Sequence, residues 1–212
     1  MSAVLNTNVR LDRSLSTGGR EISGMNLMST TLHRTETEIL EGLVEVRKAP
    51  SDNGLLEAIV IRPGSEARLS LQRCRLSPEG GTEGDAWARG CWLKLPDGSP
   101  HPDVQICIMS SRMISLLAGE KQRWELAGDN LFVDLDISRE NLQAGQLLQI
   151  GESVIEITQQ PHNGCGKFSR RFGLPALAFV NSPIGKQLRA RGIYAKVIKA
   201  GDVQVGDRVS KL

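Results

Sequence analysis

"GQLLQIGESVIEITQQP", residues 145–161, decides the fold class. It reads as a strand, a tight turn around Gly151-Glu152 and a second strand, because short apolar runs meet at a turn-forming pair. The pattern returns near the end in "IYAKVIKAGDVQVGDRVS" (193–210), with turns at Gly201-Asp202 and Gly206-Asp207. Further strands are expected at "LLEAIVIRP" (55–63), "ARLSLQRCRL" (67–76), which loses its alternation near Arg73, and "DVQICIMS" (103–110). Helices are inserted among them. Met113, Ile114 and Leu117 carry helical spacing within 110–128, and "PALAFV" (175–180) is a short helix. Ser182 is the expected N-cap of the next one, with Pro183 in its first turn and Gly192 as its stop. This is a mainly β chain with inserted helices and no βα rhythm, which favours a curled, barrel-like sheet. The two strand–turn–strand units are too short and too far apart for a repeat architecture.

Ahead of the strands, Ile39, Leu40, Leu43, Val44 and Val46 recur at helical spacing between Thr31 and Lys48, and Pro50 ends the run. We read residues 29–50 as an amphipathic helix, 51–212 as the main domain and 1–28 as a leader without regular structure. The leader has no continuous apolar stretch of the kind a secretory signal needs. No run of about 18 apolar residues exists, so no membrane span is expected. At 212 residues, 40% apolar and 24% charged, with a net charge of +2, the chain suits a cytoplasmic globular protein. That charge favours neither nucleic acid nor an acidic membrane as partner.

Four cysteines, Cys74, Cys91, Cys107 and Cys165, form no CxxC or CxH pair, which removes the usual structural zinc and redox motifs. Cys165 stands apart. It lies in "ITQQPHNGCGKFSRRFG" (157–173), between two glycines on an expected flexible loop, with His162, Lys167, Arg170 and Arg171 within six residues. Positive charge favours the thiolate, the form that attacks or ligates. The neighbouring glycines let a large ligand approach, and the cations suit an anionic group such as phosphate. The same residues also fit a half-buried cysteine beside solvated cations, because proximity in sequence is not convergence in space.

Cys107, in an apolar strand, reads as packing; Cys74 and Cys91 face either way. His162 is placed to share a proton with Cys165 if the geometry allows it. His101 reads as a solvated loop residue, and His33 as a solvent-facing one on the first helix. "EGDAWARG" (83–90) is a candidate anion-binding turn through Arg89. Phe168 and Phe172 would suit stacking on bases, but few aromatics and the near-neutral charge argue against it.

Taken together, "GDNL" (128–131), Leu142, Gly145, "IGESVIEITQQP" (150–161) and Cys165 resemble the signature of the MOSC domain family, the C-terminal domain of eukaryotic molybdenum cofactor sulfurases. That family runs Gly-Glu-Asn-Leu, Leu-x-x-Gly, a strand, Ile-Gly, a strand ending in Gln/Pro, and then the cysteine. "EGDAW" is similar to its upstream Gly-Asp turn, and "RGIYAKVIKAGDVQVGD" to its closing hairpin. The similarity spans roughly residues 50 to 210. Three positions depart from the pattern. Asp129 stands for the usual Glu, Ala86-Trp87 stands where a His is frequent, and "HNG" separates Pro161 from Cys165.

The resemblance implies a barrel-like β fold and one of two chemistries at Cys165. In the first, the thiolate ligates the molybdenum of a pyranopterin cofactor in a reductase of N-hydroxylated compounds. Arg73, Arg89, Arg112, Lys167, Arg170 and Arg171 are the cations available for the cofactor's phosphate. Asn130, with Asp129, supports the cofactor site from a turn or from behind. In the second, Cys165 carries a persulfide and delivers sulfur, either as a transferase or as a carrier without turnover. A metal-free thiol protein of stress response is a third reading. No aminotransferase-like, pyridoxal phosphate-binding domain is expected ahead of the MOSC-like region within this sequence, and no flavin or haem module is expected in it. Electrons or sulfur are therefore expected from a separate donor protein, with a small molecule as substrate.

Overall fold

A computed structural model describes residues His33–Leu212. The leader read over residues 1–28 lies outside the described residues. The first helix, α1, is Glu36–Val46 and opens on a reciprocal cap. The Glu38 N–H donates to the Thr35 hydroxyl at 3.2 Å, and the Thr35 N–H donates to the Glu38 carboxylate at 2.8 Å. Only Ile39, Leu43 and Val46 are buried. Leu40 and Val44 were expected on the apolar face but stand exposed, so that face is a single i, i+4, i+7 stripe.

The strands are β1 (Gly54–Ile61), β2 (Leu69–Leu71), β3 (Arg73–Ser77), β4 (Gly81–Thr82), β5 (Ile106–Ser110) and β6 (Leu131–Asp134). They continue with β7 (Leu147–Ile150), β8 (Ser153–Ile157), β9 (Ile193–Lys199), β10 (Gly201–Gln204) and β11 (Arg208–Lys211). Between them lie α2 (Trp87–Gly90), α3 (Ser111–Ala118), α4 (Gly166–Asn181) and α5 (Pro183–Gln187).

Seven strands close into a barrel in the order β1–β11–β7–β8–β9–β5–β6 and back to β1, with β2 added on β1. Only β5 and β6 run parallel, as Ile108↔Leu131 to Ser110↔Val133. Closure leaves the barrel strands no free edge and fills the interior with Leu56, Ile59, Ile106, Leu131, Ile155 and Ile157. On the outside, Ile39, Met113, Phe168, Phe172 and Phe179 from the helices pack with Val60, Met109 and Phe132 from the barrel wall. The aromatic pair considered for base stacking, Phe168 and Phe172, is therefore core.

The opening stretch pairs as read, from Leu147↔Glu156 to Ile150↔Ser153. The closing stretch does not form hairpins. β9 pairs β8 and β5, β10 crosses to a separate three-stranded sheet with β3 and β4, and β11 returns to β7 and β1. Alternation identifies a strand but not its partner. The stretch 67–76 likewise splits into β2 and β3, and its loss of phase near Arg73 marks the change of sheet. The helical reading of 110–128 resolves into α3 and a 3-10 turn, Lys121–Ala127.

α4 absorbs the helix expected at 175–180 but begins nine residues earlier, at Gly166. It bends at Gly173, whose φ of 89° is left-handed and whose missing Cβ would stand 2.8 Å from the Cβ of His33. Ser182 caps α5 as expected, its hydroxyl accepting from the Gly185 N–H at 3.0 Å with Pro183 in the first turn. The stop, however, is at Leu188 and not at Gly192. No helix among the described residues is long and apolar enough to cross a membrane.

Candidate functional site

A cleft of about 760 Å³ opens where the loop after β1, the α2 turn, the loop after β8 and the start of β9 meet. Its lining includes Cys165, Cys107, Cys91 and His162, the cations Arg62, Arg68, Lys167 and Arg191, and the aromatics Trp87, Trp92 and Tyr194.

Cys165 is not on a free loop. It is the N-cap residue of α4, with extended φ/ψ of −128° and 178°. The preceding residue is pinned from the far end of the same helix. The Gly164 N–H donates to Asn181 Oδ1 at 3.0 Å, and Asn181 Nδ2 donates back to the Gly164 carbonyl at 3.2 Å. The thiol is exposed. What burial it has pushes the thiol up, but the N–H groups of Phe168 and Lys167 and the charges of Arg191 and Lys167 together hold it below the ordinary thiol value. Orphan amides at a helix start favour an anion at the cap, which is how this fold activates a thiolate. Cys107 is the opposite case: burial pushes it up, against the pull of Arg62.

Beneath the cleft lies a polar hub. Asp85, at the Gly-Asp turn, accepts from Arg62 Nε at 3.0 Å and Nη2 at 2.9 Å, from the backbone N–H of Arg62 at 2.8 Å and of Trp87 at 2.9 Å, and from Asn130 Nδ2 at 3.1 Å. Burial alone would raise this carboxyl; the Arg62 guanidinium outweighs it and holds Asp85 below the usual carboxylate range. Asn130 Oδ1 accepts from Arg62 at 3.1 Å and from the Cys107 N–H at 3.0 Å. Asn130 is fully buried and does not line the cleft; its amide ties β1, β5 and the Gly-Asp turn together. Arg191, at the start of β9, donates to Asp129 Oδ2 at 2.7 Å and to the Ala127 carbonyl at 3.0 Å, and it lies 5.1 Å over the Phe168 ring.

The cations expected around Cys165 are distributed otherwise. Lys167 lines the cleft and pairs with Glu66 at 3.1 Å. Arg171 also pairs with Glu66, donates to the Leu126 carbonyl and is not itself in the cleft lining. One carboxylate thus holds two of the predicted cations. Arg170 is exposed on α4 outside the lining, and Arg89 donates to the Pro63 carbonyl beside it. Arg73 pairs with Asp202 on the small sheet at 2.6 Å, and Arg112 with Asp134 at 2.6 Å, both away from the cleft.

Arg62, Arg68 and Arg191 are the cations that sequence spacing did not identify. They lie 103, 97 and 26 residues from Cys165 along the chain. For Arg191 the signal was present in "RGIY", beside a glycine that the packing requires. A Cβ on Gly192 would stand 2.4 Å from the Ile108 carbonyl oxygen, and its φ is +99°. His101 caps a 3-10 turn through Nδ1 at 3.2 Å from the Asp103 N–H and is not in the cleft.

The arrangement supplies an activated thiol at the mouth of a cleft whose lining carries four cations against two carboxylates, Glu66 and Asp85. Two of those guanidiniums have buried donors without an acceptor, Arg68 Nε and Arg191 Nε. No group of three His, Cys, Asp or Glu among the described residues is placed to hold a bare metal ion.

A sequence profile described as the MOSC domain matches residues 97–210. No curated protein matches the chain. Among solved structures, the YuaD protein from Bacillus subtilis superposes with a TM-score of 0.53 at 18% identity, over 74% of this chain and 94% of that one. A protein described only as hypothetical gives a TM-score of 0.50 at 20% identity, over 76% of this chain and 69% of that one. YiiM from Escherichia coli gives a TM-score of 0.48 at 19% identity, over 74% and 69%. At these identities the property shared with the first two is the fold.

Proposed function

The chain belongs to the MOSC domain family, a family associated with the molybdenum cofactor, and from that premise we propose that its cleft binds a molybdenum–pyranopterin cofactor with Cys165 as the protein ligand to the metal. The observation that carries this reading is the coincidence of an open, activated thiol with unpartnered guanidinium donors in one cleft. Arg68 and Arg191 line the cleft, and each keeps a buried Nε without an acceptor, so their charge is incompletely matched within the chain and favours an anion in the cleft beside them. The pyranopterin's phosphate meets that need, and a soft thiolate meets the metal's. When bound, the cofactor supplies two-electron oxygen- or sulfur-atom chemistry at the metal.

The roles of this chain's residues follow from their positions. Cys165 is presented at the start of α4, where the Phe168 and Lys167 amides favour its thiolate form. Arg68 and Arg191 stand toward the anionic end, Arg62, whose donors are held by Asp85, Asn130, Gly128 and Cys107, adds only its charge, and Lys167, shared with Glu66, contributes at the rim. Asp85 and Asn130 orient Arg62 and do not themselves touch the ligand. Trp87, Trp92 and Tyr194 form an apolar wall against which a planar ring system lies. The outcome is molybdenum-dependent reduction or sulfur transfer, with a separate protein supplying electrons or sulfur and a small molecule as substrate. A persulfide carrier needs an exposed thiol but has no use for a cleft lined by four cations against two carboxylates, which supports the cofactor reading.

The test is the metal content of protein purified natively from a molybdenum-replete host. Stoichiometric molybdenum with pterin is expected in the natural chain and its loss in Cys165→Ala. A metal-free natural chain carrying one extra sulfur at Cys165 would favour the carrier, and undiminished molybdenum in Cys165→Ala would remove the thiol from the metal.

A further inference from the structure

Behind the cleft wall two buried polar atoms face each other without partners. His162 Nδ1 and Asp129 Oδ1 are 3.7 Å apart, on side chains 7% and 0% exposed, and neither makes a hydrogen bond. The gap exceeds an ordinary N–H···O separation by roughly 0.7 Å, so a small movement of the loop carrying His162 closes it. The other carboxylate oxygen, Oδ2, is already committed to Arg191 at 2.7 Å. The imidazole is stacked on Tyr194, with ring centroids 4.3 Å apart at 31°. Gly192 leaves room for the pair, since a Cβ there would stand 3.1 Å from Asp129 Oδ1 and 3.3 Å from His162 Nδ1. His162 lines the cleft, and Nε2 is not among the sealed, unpartnered atoms.

We propose that Asp129 and His162 form a proton-handling dyad, in which Asp129 Oδ1 accepts the proton on His162 Nδ1 and leaves Nε2 as a bare acceptor facing the cleft. His162 is then a catalytic residue that takes a proton at Nε2 from a ligand or water and returns it, and Asp129 is a positioning residue. The transfer moves one proton and no electrons. The imidazolium formed when Nε2 is protonated faces Asp129 but also Arg191, which already shares that carboxylate, so it is a transient state and not the resting one. The nitrogen that carries the proton is set by the bond the other nitrogen makes, and here Nδ1 faces a carboxylate oxygen that lacks a donor.

The groups facing the dyad agree with this state. Burial, Arg191 and Arg62 hold His162 well below the ordinary imidazole value, so it rests neutral. Burial pushes the Asp129 carboxyl up against the pull of Arg191, Arg62 and Arg68, so its free oxygen gains from a further donor. Cys107 and Tyr194 both have raised values, chiefly from burial, and stay protonated beside the pair. This inference rests on reading the cleft as the reaction site, but its test does not need the cofactor.

The test is the imidazole nitrogen spectrum of the metal-free full chain labelled with 15N-histidine. The chain has three histidines, and His162→Gln identifies the signal that belongs to His162. The expected result is a neutral ring with a protonated Nδ1 and an acceptor-type Nε2. In Asp129→Asn the amide oxygen remains on Arg191 and its NH2 group faces Nδ1, so the proton is expected to move to Nε2. A natural chain with its proton already on Nε2 overturns the dyad, as does a tautomer that Asp129→Asn leaves unchanged. If Asp129→Asn fails to fold, the tautomer of the natural chain alone decides. Failure of the cofactor reading would appear instead as missing molybdenum, with this spectrum unaffected.

Discussion

Replacing Asp85 by Asn tests the polar hub on which the cleft stands. The carboxylate accepts five hydrogen bonds, three of them from Arg62. The amide keeps one acceptor oxygen and turns the other into a donor pointing at donors. The side chain of Asp85 is 2% exposed and that of Arg62 24%, so the variant leaves a largely buried guanidinium without a counter-charge. Breaking a buried pair from one side costs about 3–5 kcal/mol, and the partial exposure of Arg62 points to the lower end. With a urea m-value of about 2 kcal/mol/M, a loss of about 3 kcal/mol lowers the unfolding midpoint by about 1.5 M. Tryptophan fluorescence during urea titration measures it. The pH dependence gives a second reading. A carboxyl held low in the folded state stabilises above its unfolded value, and that stability disappears as pH falls through the folded one. The gap between natural chain and variant is therefore expected to be full above about pH 4 and to close below it. Glu66→Gln, at an exposed side chain, is the control and is expected to leave the midpoint unchanged. A midpoint shift below about 0.3 M in Asp85→Asn would refute the hub.

The other expectations concern the thiols and the backbone. Cys165 is expected to alkylate at lower pH than Cys107, which burial raises, or Cys74, which burial with Glu83 and Asp202 pushes up to about 12. Coincident pH–rate profiles measured by peptide mass analysis would remove the activation argument. Gly192→Ala places a Cβ 2.4 Å from the Ile108 carbonyl oxygen in a left-handed backbone. A destabilisation of about 1–3 kcal/mol is expected from the backbone alone, and a thermal midpoint unchanged from the natural chain would contradict the contact. Ser182→Ala removes the cap of α5 at a cost of about 1 kcal/mol, read as a drop in thermal midpoint of about 2–4 °C.

The barrel was legible where a strand's alternation and its turn lie side by side, as in residues 145–161, because hairpin pairing is local. Pairing across the barrel was not. The β10 strand reads like the second arm of a hairpin but pairs with β3, more than a hundred residues away in sequence. The flanking residues singled out Cys165, an exposed thiol held below its ordinary value, and Lys167 contributes to that as expected, but the other causes differ. Helix amides and Arg191 contribute to its activation, while Arg171 is held by Glu66 and Arg170 lies outside the cleft. Arginine spacing along the chain carries no information on which guanidiniums converge, so Arg73 and Arg112 were included while Arg62, Arg68 and Arg191 were missed. What brings the last three together is the non-sequential strand order, in which only β6 and β5 separate β1 from β9.

X-ray absorption at the molybdenum edge, on cofactor-loaded natural chain and Cys165→Ser, tests the central claim most directly. The expected result is one fewer sulfur neighbour on the metal in the variant. The same number of sulfur neighbours in both proteins would contradict ligation by Cys165.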